Sequence, residues 1–184
     1  MVASRAARHD GGMPIVPDTK NWTWVLERPC PECGFDAASV DHLEVAAALR
    51  ENAAAWPGVL ARSDARMRPD DSTWSALEYG AHVRDVHRLN THRIRLMLDE
   101  VDPEFPNWDQ DATAIAQRYD LQDPLVVSGE VQAAALELAD LLDSLSPEQW
   151  QRTGRRSDGA TFTPATFAVY FLHDVEHHVW DVTK

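Results

Sequence analysis

Two of the eight histidines in this 184-residue chain, His173 and His177, stand four residues apart in Phe171-Leu172-His173-Asp174-Val175-Glu176-His177-His178-Val179-Trp180. On an α-helix such a pair lies about 40° apart around the axis and about 6 Å along it, so both imidazoles can turn toward one ion. With about 100° per residue, Thr166, Tyr170, His173, His177 and Trp180 fall on one largely apolar and aromatic stripe, the face expected to point inward. His178 lies about 100° from His177 and is expected as an outer-shell or surface residue. The stretch lacks the glutamate of H-E-x-x-H, so a zincin-type protease is not indicated.

A third ligand has to come from another helix at an inward position. Tyr79, His82, Val86, Leu89 and Leu96 share one stripe, which puts His82 on a core face. His87 and His92 lie about 140° and about 80° away from His82 and are expected to be solvated. A buried imidazole needs a partner, and either a hydrogen-bonding core neighbour or a metal ion would satisfy it. Glu78 and Asp85, one turn either side of His82, and Asp181, four beyond His177, are candidates to orient the rings from an outer shell, against the plainer reading of solvated helix carboxylates. Trp180 and Tyr170 fit either a pocket wall or simple core.

The two cysteines form the motif Cys30-Pro31-Glu32-Cys33. It reads as a redox couple, as half of a zinc site, or as a Pro-bounded turn with no chemistry. A complete zinc site needs four ligands, no second cysteine pair exists, and the nearby His9 and His42 show no recognisable spacing.

Positioning these groups falls to helices. Residues 1–36, rich in Gly, Pro and charge, read as an irregular N-terminal arm whose later half, with Trp22, Trp24 and Phe35, docks on the body. Residues 37–184 read as one domain. Its first helix is expected from about Ala37 to Arg66, with Val45, Leu49, Trp56 and Leu60 at helical spacing and a kink at Pro57. The Ser75 to Glu78 capping box opens a second, longest helix running to about Glu100. Pro103, Pro106 and Pro124 break up a crossover in which Asp111 to Tyr119 could form a turn or two of helix. Val131, Ala134, Ala135, Leu138, Leu141, Leu142 and Leu145 mark a third helix, and Thr163-Pro164 caps a fourth that runs close to the C-terminus. No repeat and no alternating strand pattern is evident. The fold expected is all-α, a four-helix bundle.

Trp74-Ser75-Ala76-Leu77-Glu78-Tyr79-Gly80-Ala81-His82, followed about ninety residues on by His173-Asp174-Val175-Glu176-His177-His178, resembles the DinB/YfiT-like superfamily, where a W-S-x-x-E-x-x-x-H block opens the second helix and an H-x3-H pair lies on the last. The layout matches over residues 37 to 182. The resemblance implies that His82, His173 and His177 are ligands of a divalent metal, with Zn or Ni favoured and Fe or Mn compatible. Three neutral imidazoles would leave a coordination position open, fit to activate a thiol or a water. Relatives of this type include S-transferases and isomerases that use mycothiol, bacillithiol or glutathione, so the resemblance implies a metal-dependent thiol S-transferase acting on a small-molecule electrophile, with mycothiol as one candidate thiol. Its rivals are a metal-dependent hydrolase using water and a metal-binding, stress-associated module without turnover. By analogy a homodimer is compatible.

Composition narrows the partners. With 30 acidic against 17 basic residues the formal charge is −13, and Arg155-Arg156 is too small a patch to attract a phosphate backbone or an acidic membrane. No apolar run of about 18 residues predicts a membrane span, and Met1 to Ala7 lacks the apolar core of a secretory signal, so a cytoplasmic protein is expected.

Overall fold

The computed structural model describes residues 22–184, so His9 and the first half of the arm lie outside the described residues. Its α-helices are α1 (Val45–Leu60), α2 (Ala76–Asp99), the short α3 (Gln110–Ala116), α4 (Pro124–Asp143) and α5 (Pro164–Thr183). Local chemistry starts them where it should. At the head of α2, Ser75 Oγ accepts from the Glu78 N–H at 3.3 Å while the Glu78 carboxylate accepts from the Ser75 N–H at 2.9 Å, which satisfies two of the donors a helix start leaves orphaned. Arg68 grips the same carboxylate from the loop before α2. Thr163 and Thr166 make the equivalent reciprocal pair at the head of α5, with Pro164 at the first helical position.

Two boundaries differ from the expectation. The stretch before α1 is not helix but two 3-10 turns, Ala37–Ser39 and His42–Glu44, because Asp36 and Asp41 each cap a turn of their own. The third long helix starts at Pro124 rather than near Val131: the Asp123 side chain accepts from the Leu125 N–H, so Asp-Pro here begins a helix instead of interrupting one. Pro57 sits in the last turn of α1, where its missing N–H weakens only the helix end. Three short strands also form where none was expected: β1 (Glu104–Phe105) runs parallel to β2 (Gly154–Arg156), which is antiparallel to β3 (Thr161–Phe162). Strands this short leave no alternating pattern to read. Gly154 is required in this sheet, since a Cβ there would come within 2.8 Å of Met97 Cγ.

The bundle is not a row of hairpins. α1 and α2 each pack extensively on both α4 and α5, and touch one another little. Leu49, Trp56, Leu77, Ile94, Leu138, Phe167 and Phe171 fill the space between them. Among the described residues no helix is long and apolar enough to cross a membrane. The arm does dock: Trp22–Leu26 forms a 3-10 helix against α5, with Val25 and Cys30 buried.

Packing on two sides gives α2 a wider buried face than a single inward stripe, and His87 falls inside it at 0% exposure rather than in solvent. His92 is exposed, as expected. Arg84, also buried, is satisfied by Asp85, Gln122 and Glu130, tying α2 to the crossover and to α4. His87 has no such help: among the described residues neither ring nitrogen has a partner, and burial pushes its pKa from 6.5 down to about 4. The folded state therefore resists a proton that the unfolded chain accepts, so stability held by neutral His87 is present above pH 6.5 and lost as the pH falls toward 4. His87→Leu should flatten that acid limb by about 2 kcal/mol between pH 7 and pH 5, measured by urea unfolding at both. Parallel losses in wild type and variant would refute it.

Candidate metal centre

α5 carries His173, Asp174, His177 and His178 on adjacent stripes, and the two stripes meet different partners. Asp174 Oδ1 stands 3.4 Å from His82 Nε2 and 3.1 Å from His178 Nε2, and the donor atoms of these three residues all lie within 4.8 Å of one another. His82 is completely buried, with Trp108 stacked on one face at 5.2 Å between ring centroids and Trp74 tilted against it, also at 5.2 Å. The second nitrogen of His178, Nδ1, lies 3.2 Å from Asp181 Oδ2. With a carboxylate at each ring nitrogen, His178 is fixed in orientation between Asp174 and Asp181.

His173 and His177 converge as helical spacing requires, but on cysteine. Donor atoms of Cys30, Cys33, His173 and His177 also lie within 4.8 Å of one another, with Cys30 Sγ 3.6 Å from His177 Nδ1. Both thiols are free. The rings of His173 and His177 each lie 5.6 Å from that of Trp22, and Phe35 meets His173 edge-on.

The expected set His82, His173 and His177 is therefore not brought together. His82 meets the residues one position further along α5, Asp174 and His178, so His178 is no bystander. One step along a helix rotates a side chain by about 100°, and sequence periodicity cannot say which of two adjacent stripes faces α2. Nor do Glu78 and Asp85 turn to His82: Glu78 is used by the capping box and Arg68, and Asp85 by Arg84 and the Tyr119 hydroxyl, which donates to it at 2.5 Å. Asp181 does stand beside the histidines, 3.8 Å from His177 and closer to His178. His42, a sequence neighbour of the cysteines, packs on Trp150 instead.

Electrostatics separates the members of each cluster. Burial alone would lower His178, but hydrogen bonds to Asp174 and Asp181 outweigh it and carry its pKa up to about 9. For Asp174 burial is likewise outweighed, by His178 and His82, and the carboxyl is held well below its usual range. His82 stays below its ordinary value because burial exceeds the pull of Asp174. Burial, with the nearby charge of His177, takes His173 down to about 4, and burial pushes the Cys33 thiol up to about 11. Asp174 and His178 of the first cluster and His173 and His177 of the second line one cavity of about 300 Å³, also walled by Trp22, Trp74, Tyr79 and Tyr170. Glu32, Asp111, Asp174 and Asp181 also line it, and no Lys or Arg does among the described residues.

A family model for the DinB superfamily matches residues 46–182. The chain belongs to the DinB superfamily. Among solved structures, this DinB chain is similar to YfiT from Bacillus subtilis, described as a probable metal-dependent hydrolase with an unusual four-helix bundle topology: identity is 19%, the match covers 77% of this chain and 83% of that one, and the TM-score is 0.65. At that identity the likeness speaks for the fold. No curated protein matches the chain.

The carboxylate pair around His178 gives a direct prediction. In metal-free protein the His178 ring should titrate near pH 9, and Asp181→Asn, by removing one of its two carboxylates, should lower that pKa by about one unit, or ~1.4 kcal/mol of interaction. Nitrogen-15 NMR of the imidazoles reads it directly. An unshifted His178 in the variant would mean that Asp181 does not orient the ring.

Proposed function

We propose that this DinB-superfamily chain is a metal-dependent hydrolase of small, neutral or cationic molecules, with His82, Asp174 and His178 holding the divalent ion. The observation that carries the reading is the convergence of two imidazoles and one carboxylate, from two helices, at the edge of an aromatic-walled cavity. A donor set of two histidines and an acidic residue belongs to hydrolytic and oxygen-handling metal sites, because it leaves coordination positions open. The short spacing of the donors, with His82 Nε2 at 3.4 Å and His178 Nε2 at 3.1 Å from Asp174 Oδ1, fits such an ion. Bound there, a divalent metal would act as a Lewis acid and bring a coordinated water's pKa to about 7. Zn is the natural choice for these ligands, with Ni, Fe and Mn compatible.

The chain's own residues do the rest. Asp174 supplies one negative charge between the two rings, and Asp181 fixes the orientation of His178 from outside. Trp74 and Trp108 enclose His82 and keep water from its faces, which strengthens every electrostatic interaction at the site. Four carboxylates against one bound divalent ion, with no Lys or Arg among the described lining residues, disfavour anionic substrates and admit neutral or cationic ones.

That same lining supports a second reading, transfer of a thiol to an electrophile. A neutral sugar-linked thiol such as mycothiol suits the acidic wall better than glutathione or bacillithiol, which bring carboxylates of their own.

The test is turnover of a panel of neutral, cationic and anionic esters and amides, with and without added mycothiol. Neutral and cationic substrates should be hydrolysed without thiol, and His82→Ala or His178→Ala should lower kcat/KM by about 100-fold or more while reducing bound metal. A strict thiol requirement would move the assignment to the transferase. Turnover indifferent to both substitutions, or none alongside tight metal binding, would refute catalysis at this site.

A further inference from the structure

We propose that Cys30, Cys33, His173 and His177 form a second, closed metal site that takes a tetrahedral zinc ion and clasps the N-terminal segment onto α5. Nothing in the hydrolase reading uses these four side chains as ligands. Two sulfurs at C-x2-C spacing and two imidazoles at H-x3-H spacing are the donor types and separations of structural two-cysteine, two-histidine zinc sites. The segments are more than 130 residues apart in sequence, yet one donor atom from each residue lies within 4.8 Å of all the others. A tetrahedron with bonds of about 2.3 Å to sulfur and about 2.0–2.1 Å to nitrogen spaces its donors about 3.3–3.8 Å apart. Cys30 Sγ and His177 Nδ1, at 3.6 Å, already meet that spacing, and small side-chain rotations would close the rest.

Three local features prepare the site. Gly34, with φ +78°, lets the chain turn back on itself, so that its N–H donates to the Cys30 carbonyl at 2.9 Å and the Cys30 N–H to the Phe35 carbonyl at 2.8 Å. The turn whose spacing leaves a redox couple, half of a zinc site and a silent turn all open is thus the one that presents both thiols to α5. His173 Nε2 is buried without a partner among the described residues, a cost that coordination would remove. On its far side His177 Nε2 has Glu32 at 3.5 Å and Asp181 at 3.8 Å, carboxylates that favour the tautomer with Nδ1 free toward Cys30.

The chemistry of this site contrasts with that of the neighbouring one. Binding releases the two thiol protons to solvent, and the two thiolates balance the 2+ charge, so a neutral centre is buried. Soft sulfur donors select zinc over magnesium, calcium or manganese, and four protein ligands leave no position for water. The role is structural. The clasped segment contributes Trp22 and Glu32 to the cavity wall, so this zinc would shape a pocket whose chemistry belongs to the other cluster.

The experiment uses the full chain without a His tag, reduced and loaded with cobalt(II) as a spectroscopic substitute for zinc. The expected result is thiolate-to-cobalt charge-transfer absorption together with the intense visible bands of a tetrahedral ion. Because the chain has two cysteines, thiol reactivity reports on this site alone: in zinc-loaded protein both thiols should resist a disulfide reagent until a chelator frees one zinc per two thiols. Cys30→Ser/Cys33→Ser should lose the charge-transfer band and one metal equivalent, whereas His82→Ala should keep the band, which separates this proposal from the hydrolase reading. If the double variant does not fold, thiol protection in the wild type decides. A cobalt spectrum without sulfur character, thiols equally reactive with and without zinc, or a Cys30–Cys33 disulfide that forms in the presence of zinc would overturn it.

Discussion

A carboxylate pressed between two imidazoles is costly unless every member is held, and Asp174 is held from both ends. His82 fixes one side from α2 and His178 the other from α5, while Asp181 braces His178. This contact joins two helices that lie far apart in sequence, and the cavity opens beside it. Much of the surrounding structure serves to keep these rings in place. Trp74 precedes the capping box and Trp108 follows the first strand, so two irregular segments converge on His82. The bond from Arg68 to Glu78 secures the start of α2, one turn before His82, so that the cap sets the register from which the histidine projects.

Along α5 the same helical step does two jobs. His173 and His177 look toward the N-terminal segment, and Asp174 and His178 look toward α2. Neighbouring residues thus serve two donor sets of different hardness: sulfur and nitrogen on one side, oxygen and nitrogen on the other. Hard and soft donors sort metals by geometry and ligand type rather than by affinity alone, so two sites this close can hold their ions for different purposes.

Much of this was legible in the sequence. The capping box at Ser75, the Thr163-Pro164 cap, the long apolar stripe of α4 and the two histidine blocks point to the fold class and the family. The convergence of His173 and His177 followed from helical arithmetic alone. What periodicity could not supply was relative rotation: knowing that α5 has an inward face does not say whether residues 173 and 177 or residues 174 and 178 meet α2. For the same reason sequence alone does not single out Asp174, whose role depends on the partner helix placed against it. The fate of Cys30 and Cys33 depended on a tertiary contact with a segment over 130 residues away. His87 is buried where a single-stripe rule expects solvent, because α2 packs on two sides.

The small contact between α1 and α2 bears on how the chain reaches this structure. In an up-and-down bundle, consecutive helices form hairpins early, and each pays only a short loop closure. Here α1 and α2 must both wait for α4 and α5, which are synthesised later and lie dozens of residues away. Such an arrangement raises the mean sequence separation of contacts and slows folding relative to a bundle of equal size. Both donor clusters draw residues from α5, so neither set of ligands is complete until the last helix has docked.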